Sequence, residues 1–222
     1  MTSRRRRFLT TILGGVLLVV LAVDVFLIVR RQRYEAEETR LRENMTEVER
    51  LKADAIVAKE RERTEVMFEL LRRQALGDPT LHLSVMLDSS VMVLERSNAI
   101  LRRMPVSIGA EQAVDTLPGA RRVAIPSGVR TLERLIGAEE RYELPEWVWT
   151  QRNQPIPENR ADPDFLGAGG FVLNGGTLVY ALPKSGPLSD SSWVMPGTIR
   201  ISAEDLEAIQ PNLVRGMKVY LF

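Results

Sequence analysis

The fold of this 222-residue chain is decided by two segments, GFVLNGGT at residues 170–177 and MPGTIRIS at residues 195–202. Three glycines, Gly175, Gly176 and Gly197, lie inside these segments. Glycine has no Cβ, so it adopts backbone conformations that other residues avoid and lets a neighbouring chain approach closely. We therefore expect these three glycines to serve turns and close packing.

The region before these segments predicts a β-meander. Apolar runs at residues 81–87, 91–95 and 100–108 have the length of strands, and turn-forming Asp, Ser and Asn residues separate them. Residues 120–126 indicate one more strand. In contrast, TLERLIGAEERY at residues 131–142 indicates a helix.

The C-terminal region predicts a helix followed by a strand. Ser202 is a suitable N-cap, and Asp205 follows it at the position where an acid closes a capping box. The helix is expected to run to about Ile209. The segment GMKVYLF at residues 216–222 then predicts a final strand.

Taken in order, these segments resemble the L,D-transpeptidase catalytic domain, the YkuD-like fold of bacterial cell-wall enzymes. The resemblance begins near Leu81 and continues through PVSIG at residues 105–109, LPEW at residues 144–147 and DFLGAGG at residues 164–170. It covers about two-thirds of the chain. It implies a mainly β, β-rich α+β domain over residues 78–222.

The catalytic residues of that family are replaced in this chain. The family carries an I-H-G-T-like segment and then S-H-G-C-[IV]-R. Asn174 and Pro196 occupy the two His positions, and Thr198 occupies the Cys position. The chain has no Cys and a single His, His82. The resemblance thus implies a pseudoenzyme with no catalytic residues.

The chemistry of acyl transfer supports this interpretation. A hydroxyl such as that of Thr198 needs an adjacent base to act as a nucleophile at neutral pH, and neither Asn174 nor Pro196 is a base. His82 is expected to be a partly exposed strand residue far from the strip, that is, the two segments at residues 170–177 and 195–202. Ser191 and Ser192 are expected to make local turn bonds. An atypical active transpeptidase or hydrolase that uses one of these hydroxyls stays as an alternative.

Four residues are candidates for ligand binding: Arg200, Gly197, Trp147 and Trp193. Arg200 matches the family Arg, and it either pairs with a carboxylate or holds its loop by bonding carbonyls, which we favour. The tryptophans, Trp149 among them, either line a groove for stem peptides or belong to the core. Both interpretations stay open.

The N-terminal region predicts a membrane anchor. Residues 8–29 are almost entirely apolar and would span roughly 33 Å as a helix, enough for a bilayer. A cleaved signal peptide is the alternative, and the length of this run favours a retained anchor. The basic tail at residues 1–7 places the N-terminus in the cytoplasm. We expect a single-pass protein of the inner membrane with its C-terminal domain outside, in the periplasm.

Residues 30–77 predict a helical stalk that is free of proline and ends at Gly77. Apolar residues near Leu41, Met45 and Val48 have coiled-coil spacing, but Lys52 interrupts the seam, so a homodimer through this stalk and a solvated single helix are both open. The apolar stripe at residues 66–75 is expected to pack against the globular domain.

Composition excludes several functions. The net charge of +1 gives no basic face for nucleic acid, and the lack of Cys excludes disulfides and zinc–thiolate sites. A single His also excludes a His-rich metal site, so we expect neither metal nor cofactor. The partners expected are peptidoglycan or cell-wall assembly proteins. A structural, divisome-type interaction protein that works through its membrane helix and coiled coil is the main alternative.

Overall fold

The computed structural model describes residues 46–116, 119–137 and 139–222. The predicted basic tail, the predicted membrane helix at residues 8–29 and the first part of the predicted stalk lie outside these residues. Within the described ranges, no helix is long and apolar enough to cross a membrane. The chain divides into two compact units, with the boundary between Thr64 and Glu65.

Helix α1 spans Glu47–Leu76. A capping box begins it, because the Thr46 N–H donates to Glu49 Oε2 at 2.9 Å and the Glu49 N–H donates to Thr46 Oγ1 at 3.4 Å. The bond from the Thr46 backbone is the largest effect that lowers the pKa of Glu49. At the other end, the Gly77 N–H donates to the Arg73 carbonyl at 3.0 Å. Gly77 therefore follows the last helical residue, as the sequence predicts.

The apolar side chains of α1 divide between two faces. Leu71 and Ala75, four residues apart, are buried. The expectation that the whole stripe at residues 66–75 packs against the domain is wrong for the opposite face, where Val66, Met67 and Leu70 are 57%, 48% and 62% exposed. In the first unit, Val48 is exposed as well, so a coiled-coil seam there stays a prediction.

Eight strands form a closed barrel, which confirms the mainly β domain. The strands in chain order are β1 His82–Met86, β2 Val91–Arg96, β3 Ala99–Ile108, β6 Gly128–Ile136, β7 Gly170–Leu173, β8 Leu178–Ala181, β9 Ile199–Ile201 and β10 Lys218–Leu221. Around the barrel they follow the order β1, β10, β6, β7, β8, β9, β3, β2. The β1–β10 and β8–β9 pairs are parallel and the other pairs are antiparallel.

The predicted meander β1–β2–β3 is present, with bounds close to those expected. A separate two-stranded hairpin, β4 Gln112–Thr116 and β5 Gly119–Val123, lies between β3 and β6. Strand β5 corresponds to the strand that the sequence indicates at residues 120–126.

The helix expected at residues 131–142 is wrong, because this segment supplies most of β6. Its apolar residues Leu132, Leu135 and Ile136 have the i, i+3, i+4 spacing of a helix face. The strand pairing of β6 with β7 shifts register between Leu132 and Arg134. Such a bulge adds one residue and reverses the inside–outside alternation. Leu132 and Leu135, three residues apart, therefore both pack at the barrel core, while Ile136 belongs to a separate apolar cluster.

Alternation along the strands separates the barrel core from its outer surface. Leu83 and Val85 of β1 face the barrel core, whereas His82 and Ser84 face outward. Helix α3, Ala203–Ile209, packs Leu206 and Ile209 onto this core. The remaining members of the barrel core are Met92, Leu94, Met104, Val106, Leu132, Phe171, Leu173, Val179, Ala181, Ile199, Ile201, Leu213, Met217, Val219 and Leu221.

The start of α3 has the predicted cap. Ser202 Oγ accepts from the Asp205 N–H at 3.0 Å and donates to Asp205 Oδ2 at 2.7 Å. The other carboxylate oxygen of Asp205 accepts from Arg102 Nη2 of β3 at 2.7 Å. The acid therefore joins the cap of α3 to the barrel wall.

A second apolar cluster lies beside the barrel. It joins helix α2, Glu146–Gln151, to the outward-facing side chains Leu178 and Tyr180 of β8. Trp149 is buried in it, with its ring edge-to-face against Phe165 at 5.1 Å. Trp149 is therefore a core residue, and α2 is fixed next to the β7–β8 and β8–β9 connections.

The segment after α1 is held on the barrel by a buried polar group, Asp78. Its carboxylate accepts from the Thr80 N–H at 2.9 Å, from the Thr80 hydroxyl at 2.6 Å, and from Lys218 and Tyr220 at 2.8 Å each. Burial raises the pKa of Asp78, but the bonds from Lys218, Thr80 and Tyr220 outweigh it and hold the pKa well below its usual range. Burial and the bond to Asp78 raise the pKa of Tyr220 to about 12.

His82 is completely buried, so the expectation of partial exposure is wrong. Its Nδ1 lies 2.8 Å from the Thr80 carbonyl oxygen and its Nε2 lies 3.1 Å from Glu95 Oε1. The Ser84 hydroxyl also donates to Glu95. The ring packs edge-on against Tyr220 at 5.2 Å. His82 faces outward on β1, and its burial comes from the polar partners gathered beside the end of α1.

Candidate functional site

The two deciding segments meet at one end of the barrel wall. The first forms β7, a turn at Asn174-Gly175-Gly176 and the approach to β8, while the second leads into β9. Gly175, Gly176 and Gly197 have φ values of 94°, 87° and 71°. These angles lie in the left-handed region, which favours glycine over any residue with a Cβ. The expectation that they serve turns is confirmed.

Close packing fixes the second segment from two sides. A Cβ on Gly197 would overlap Val123 at the end of β5, and a Cβ on Gly109 would overlap the Met195 carbonyl oxygen. The Gly109 N–H donates to the Thr198 carbonyl at 2.8 Å. The close approach of Val123 to Gly197, which only a glycine permits, therefore lets the β4–β5 hairpin pack against the second segment.

The structure places Thr198 in a buried position, with 3% of its surface exposed. Its hydroxyl donates to the Met195 carbonyl at 2.6 Å, which closes the turn around Pro196. Pro196 is buried and offers no side-chain polar atom. Asn174 is exposed, and its Oδ1 accepts from the Thr131 N–H at 2.8 Å. Each of these side chains thus supports local backbone structure.

The phenol of Tyr180 is the titratable group behind Thr198. Its oxygen faces the Met195 N–H at 3.5 Å. Burial is the largest effect and raises the pKa of Tyr180, while the Met195 N–H, the Arg200 charge and the Thr198 hydroxyl lower it in part. Because the net shift is upward, this phenol stays protonated at neutral pH and cannot accept a proton from Thr198.

A cavity of about 250 Å³ opens beside Thr198. It is bounded by the β4–β5 hairpin, by the start of α2 and by both glycine turns. Its lining residues are Arg121, Arg122, Val123, Ala124, Tyr142, Pro145, Trp147, Gly175, Gly176, Thr177, Met195, Pro196, Gly197 and Thr198. The volume is slightly below the roughly 300–1,000 Å³ of pockets for drug-sized ligands, so the cavity suits one end of a longer ligand.

The cavity carries positive charge and no general base. None of its described lining residues is a His, Cys, Asp or Glu. Tyr142 is the phenol in the lining, and burial raises its pKa, so it stays protonated at neutral pH. Arg122 pairs with Glu111 across the hairpin. Arg121 is exposed and forms no ion pair with any residue that the structure describes. The arrangement can bind an anionic group but offers no base to activate the Thr198 hydroxyl.

The candidate binding residues separate into two groups. Trp147 and Gly197 line the cavity, whereas Trp193 and Arg200 do not. Arg200 donates to the carbonyl oxygens of Ser191 at 2.8 Å and Trp193 at 3.0 Å. These bonds hold the loop before Met195. The guanidinium of Arg200 is therefore bonded to backbone carbonyls.

The loop around Ser191 and Ser192 is built on Asp190. The Ser192 hydroxyl donates to Asp190 Oδ1 at 2.6 Å and Arg152 Nη2 donates to Oδ2 at 2.6 Å. The Ser192 bond is the largest effect that lowers the pKa of Asp190 to about 2. The Arg152 guanidinium also lies 5.1 Å from the centre of the Trp193 ring. Ser192 makes local turn bonds, as expected, whereas the Ser191 carbonyl accepts from Arg200. Neither serine lines the cavity.

The arginines of the cavity were missed from the sequence. Arg121 and Arg122 line the cavity, yet nothing in the order of motifs places the β5 strand over the strip. The pair of adjacent arginines in a short strand before Pro126 was the available signal.

His82, the single histidine of the chain, lies on β1, opposite β8 in the barrel order. In the described part of the chain, no group of three or more His, Cys, Asp or Glu residues could hold a metal ion.

No protein-family model matches the sequence, and no curated protein matches it. Solved structures do match. The L,D-transpeptidase of Xylanimonas cellulosilytica is 13% identical with a TM-score of 0.46, over 65% of this chain and 61% of that chain. L,D-transpeptidase 1 of Mycobacterium tuberculosis is 14% identical with a TM-score of 0.40, over 64% and 60%.

The match thus spans about three-fifths of the length of these two structures. The catalytic domain of the L,D-transpeptidase of Enterococcus faecium is 11% identical with a TM-score of 0.40, over 65% of this chain and 98% of that chain. The structure is similar to these L,D-transpeptidases, members of the family whose ordered motifs the sequence resembles.

Proposed function

We propose that this protein binds a peptide of the bacterial cell wall without cleaving or cross-linking it. One observation carries the proposal: the cavity beside Thr198 has arginine and tryptophan side chains in its lining but no described residue that could serve as a base or a thiol nucleophile. The site would therefore act in recognition. The resemblance of the motifs to a wall-enzyme family names peptidoglycan stem peptides as the ligand class.

The polar groups of the cavity suit a peptide carboxylate. A guanidinium binds a carboxylate through paired N–H donors, and Arg121 lies at the cavity with no ion-pair partner among the described residues. Trp147 provides an apolar wall on which an aliphatic side chain can pack. Stem peptides offer carboxylates next to short aliphatic side chains, which matches this pairing of charge and apolar surface.

Catalysis is disfavoured by the surroundings of the Thr198 hydroxyl. This hydroxyl already donates to the Met195 carbonyl, and the neighbouring Tyr180 phenol has a raised pKa. A nucleophilic hydroxyl needs a base within hydrogen-bond reach. The atypical enzyme is therefore the weaker alternative, and it makes its own prediction: wild type would turn over tetrapeptide stems and Thr198→Ala would not.

The location proposed is the outer side of the inner membrane. The apolar run at residues 8–29 would anchor the chain with its N-terminus in the cytoplasm, and the stalk would carry the domain in the periplasm. Peptidoglycan is accessible on that side only. Alkaline phosphatase fused after residue 222 should be active in cells, and a fusion that is inactive would contradict this topology.

The binding proposal is tested with the full chain in mild detergent. Purified peptidoglycan sacculi should retain the wild-type protein at low salt, and a soluble stem tetrapeptide should compete. Arg121→Ala and Trp147→Ala should each weaken competition about tenfold. The matched control is Arg215→Ala, an exposed arginine of the loop before β10, which should bind as wild type does. No retention at low salt, or full retention by Arg121→Ala, would refute the proposal.

Mass spectrometry of the same stem peptides tests the absence of turnover. The proposal expects unchanged peptides after prolonged incubation with wild-type protein. If wild type converts them and Thr198→Ala does not, the protein is an enzyme and the pseudoenzyme proposal is wrong.

A second candidate function rests on a different observation. Val66, Met67 and Leu70 expose apolar surface on one face of α1, which suits a scaffold that assembles through its stalk. Cysteine introduced at Leu70, in a chain that has no natural cysteine, should form disulfide-linked dimers in cells. A strictly monomeric protein would remove this candidate and leave the binding proposal untouched.

A further inference from the structure

A larger cleft lies on the other side of the domain, between α1 and the β1–β2 turn. Its volume is about 570 Å³, within the range of roughly 300–1,000 Å³ for ligand pockets. All of its lining residues belong to the unit that begins at Glu65. They are Glu65, Phe68, Glu69, Arg72, Met86, Leu87, Asp88, Ser89 and Phe222. None of them belongs to the cavity at Thr198.

The floor of this cleft is apolar and accessible. Phe68 is 37% exposed, and Met86, Leu87 and Phe222 are half-buried. Phe68 lies on the same side of α1 as the buried Leu71 and Ala75, one turn earlier. Phe68 is therefore less covered than Leu71 and Ala75 and leaves apolar surface accessible beside them. An apolar side chain inserted here would remove this surface from water.

The rim of the cleft is acidic. Glu65, Glu69 and Asp88 contribute negative charge, against Arg72 alone. Glu69 already forms an ion pair with Arg73, with 2.8 Å between Glu69 Oε1 and Arg73 Nε. Glu65 and Asp88 form no ion pair with the residues described, and both are exposed. An apolar floor with negative charge above it favours a ligand with an apolar anchor and positive charge beside it.

We propose that this cleft docks a segment of a partner protein that carries a large apolar side chain flanked by Lys or Arg. The apolar anchor would pack on Phe68 and Met86, and the basic residues would face Glu65 and Asp88. The charge complementarity of the rim selects this occupant over an acidic segment. This interaction is independent of ligand binding at Thr198, and the two faces would let the protein hold a wall peptide and a protein partner at once.

Three immobilised peptides of equal length test the proposal by biosensor with the full chain in detergent. The first is an amphipathic Leu/Lys peptide with one Trp on its apolar face, the second replaces every Lys with Glu, and the third replaces every Leu with Ser. Protein-free micelles supply the reference signal. We expect the Leu/Lys peptide to bind at least about tenfold more tightly than either of the others.

Variants locate the binding. Glu65→Lys combined with Asp88→Lys, and separately Phe68→Ala, should each weaken Leu/Lys binding by at least about fivefold. Ser89→Trp, which fills the cleft from an exposed turn position, should weaken it without removing a packed side chain. Glu207→Lys on the exposed side of α3 changes the charge in the same direction and should bind as wild type does.

Three outcomes would overturn the proposal. The Glu peptide could bind as tightly as the Lys peptide, the cleft variants could bind as wild type does while remaining folded by circular dichroism, or the micelle reference could account for the whole signal. Because the stem-peptide assay uses the other cavity, loss of either activity leaves the other measurable.

Discussion

Replacing Asp78 with Asn tests how the end of α1 is held on the barrel. Thr80 donates twice to Asp78 Oδ1, and Lys218 and Tyr220 both donate to Oδ2. In Asp78→Asn the amide oxygen can keep the two Thr80 bonds. The amide NH₂ then faces the Lys218 ammonium, which can only donate, and the Tyr220 hydroxyl, which must turn to accept.

The expected loss of stability follows from these two bonds. A hydrogen bond to a charged group contributes about 1.5–3 kcal/mol. Lys218 recovers part of this in water, since 48% of its side chain is exposed. Tyr220 is buried, and in the variant its hydroxyl keeps the side-chain amide at position 78 as a hydrogen-bond partner. We expect Asp78→Asn to lower the free energy of unfolding by about 2 kcal/mol, which for a domain of this size lowers Tm by about 4–8 °C.

The pH dependence has a definite sign. The pKa of Asp78 is held well below its usual range in the folded protein, because the bonds from Lys218, Thr80 and Tyr220 outweigh burial. A depressed pKa means that the carboxylate stabilises the fold fully above its ordinary unfolded pKa of about 3.9 and loses that effect as the pH falls below it. The Tm difference between wild type and variant should be full at pH 7 and shrink below about pH 4.

Thermal unfolding of the full chain, followed by circular dichroism at pH 7, 5 and 3.5, measures this difference. Asp88→Asn is the control, because Asp88 is exposed in the β1–β2 turn and should change stability by no more than about 0.5 kcal/mol. If Asp78→Asn melts within about 1 °C of wild type at pH 7, or if the difference grows in acid, the reasoning is wrong.

Three further predictions concern the strip. Gly109→Ala should destabilise the domain by about 3 kcal/mol or more in thermal unfolding, because its Cβ overlaps the Met195 carbonyl, whereas Gly137→Ala, with open space around it, should be nearly neutral. Thr198→Cys should leave stem peptides unchanged by mass spectrometry, because the cavity still lacks a base; measurable turnover would contradict this. Arg200→Lys should cost about 1–2 kcal/mol and increase acrylamide quenching of tryptophan fluorescence, since Arg200 bonds the Trp193 and Ser191 carbonyls through two separate nitrogens of a rigid fork and Lys has a single nitrogen; unchanged quenching would mean that Arg200 does not hold the loop.

Local patterns predicted much of the barrel. The strands β1, β2 and β3 follow apolar runs separated by turn residues, and the Ser202 cap marks the start of α3. β6 was predicted as a helix because the bulge beside Leu132 puts Leu132 and Leu135, three residues apart, on the same side and so gives the strand the apolar spacing of a helix. A bulge depends on the partner strand, which the sequence of β6 alone does not contain.

The candidate site was predictable only in part. The strip itself was found from its glycines, and Trp147 and Gly197 do line the cavity. Arg121 was missed because the β4–β5 hairpin reaches the strip through the contact between Val123 and Gly197, which joins residues distant in sequence. His82 was expected to be partly exposed because its side-chain partner, Glu95, lies on the next strand, and the sequence around His82 does not show that pairing.

The parallel pairing of β1 with β10 has a consequence for how the protein is made. Leu83 lies opposite Val219, and β10 fills the gap between β1 and β6. The barrel therefore cannot close until almost the whole domain has left the ribosome, and such distant pairings make folding slow. Until then β1 and β6 have free edges that can pair with other chains. A chaperone that shields these edges during synthesis would raise the yield of folded protein.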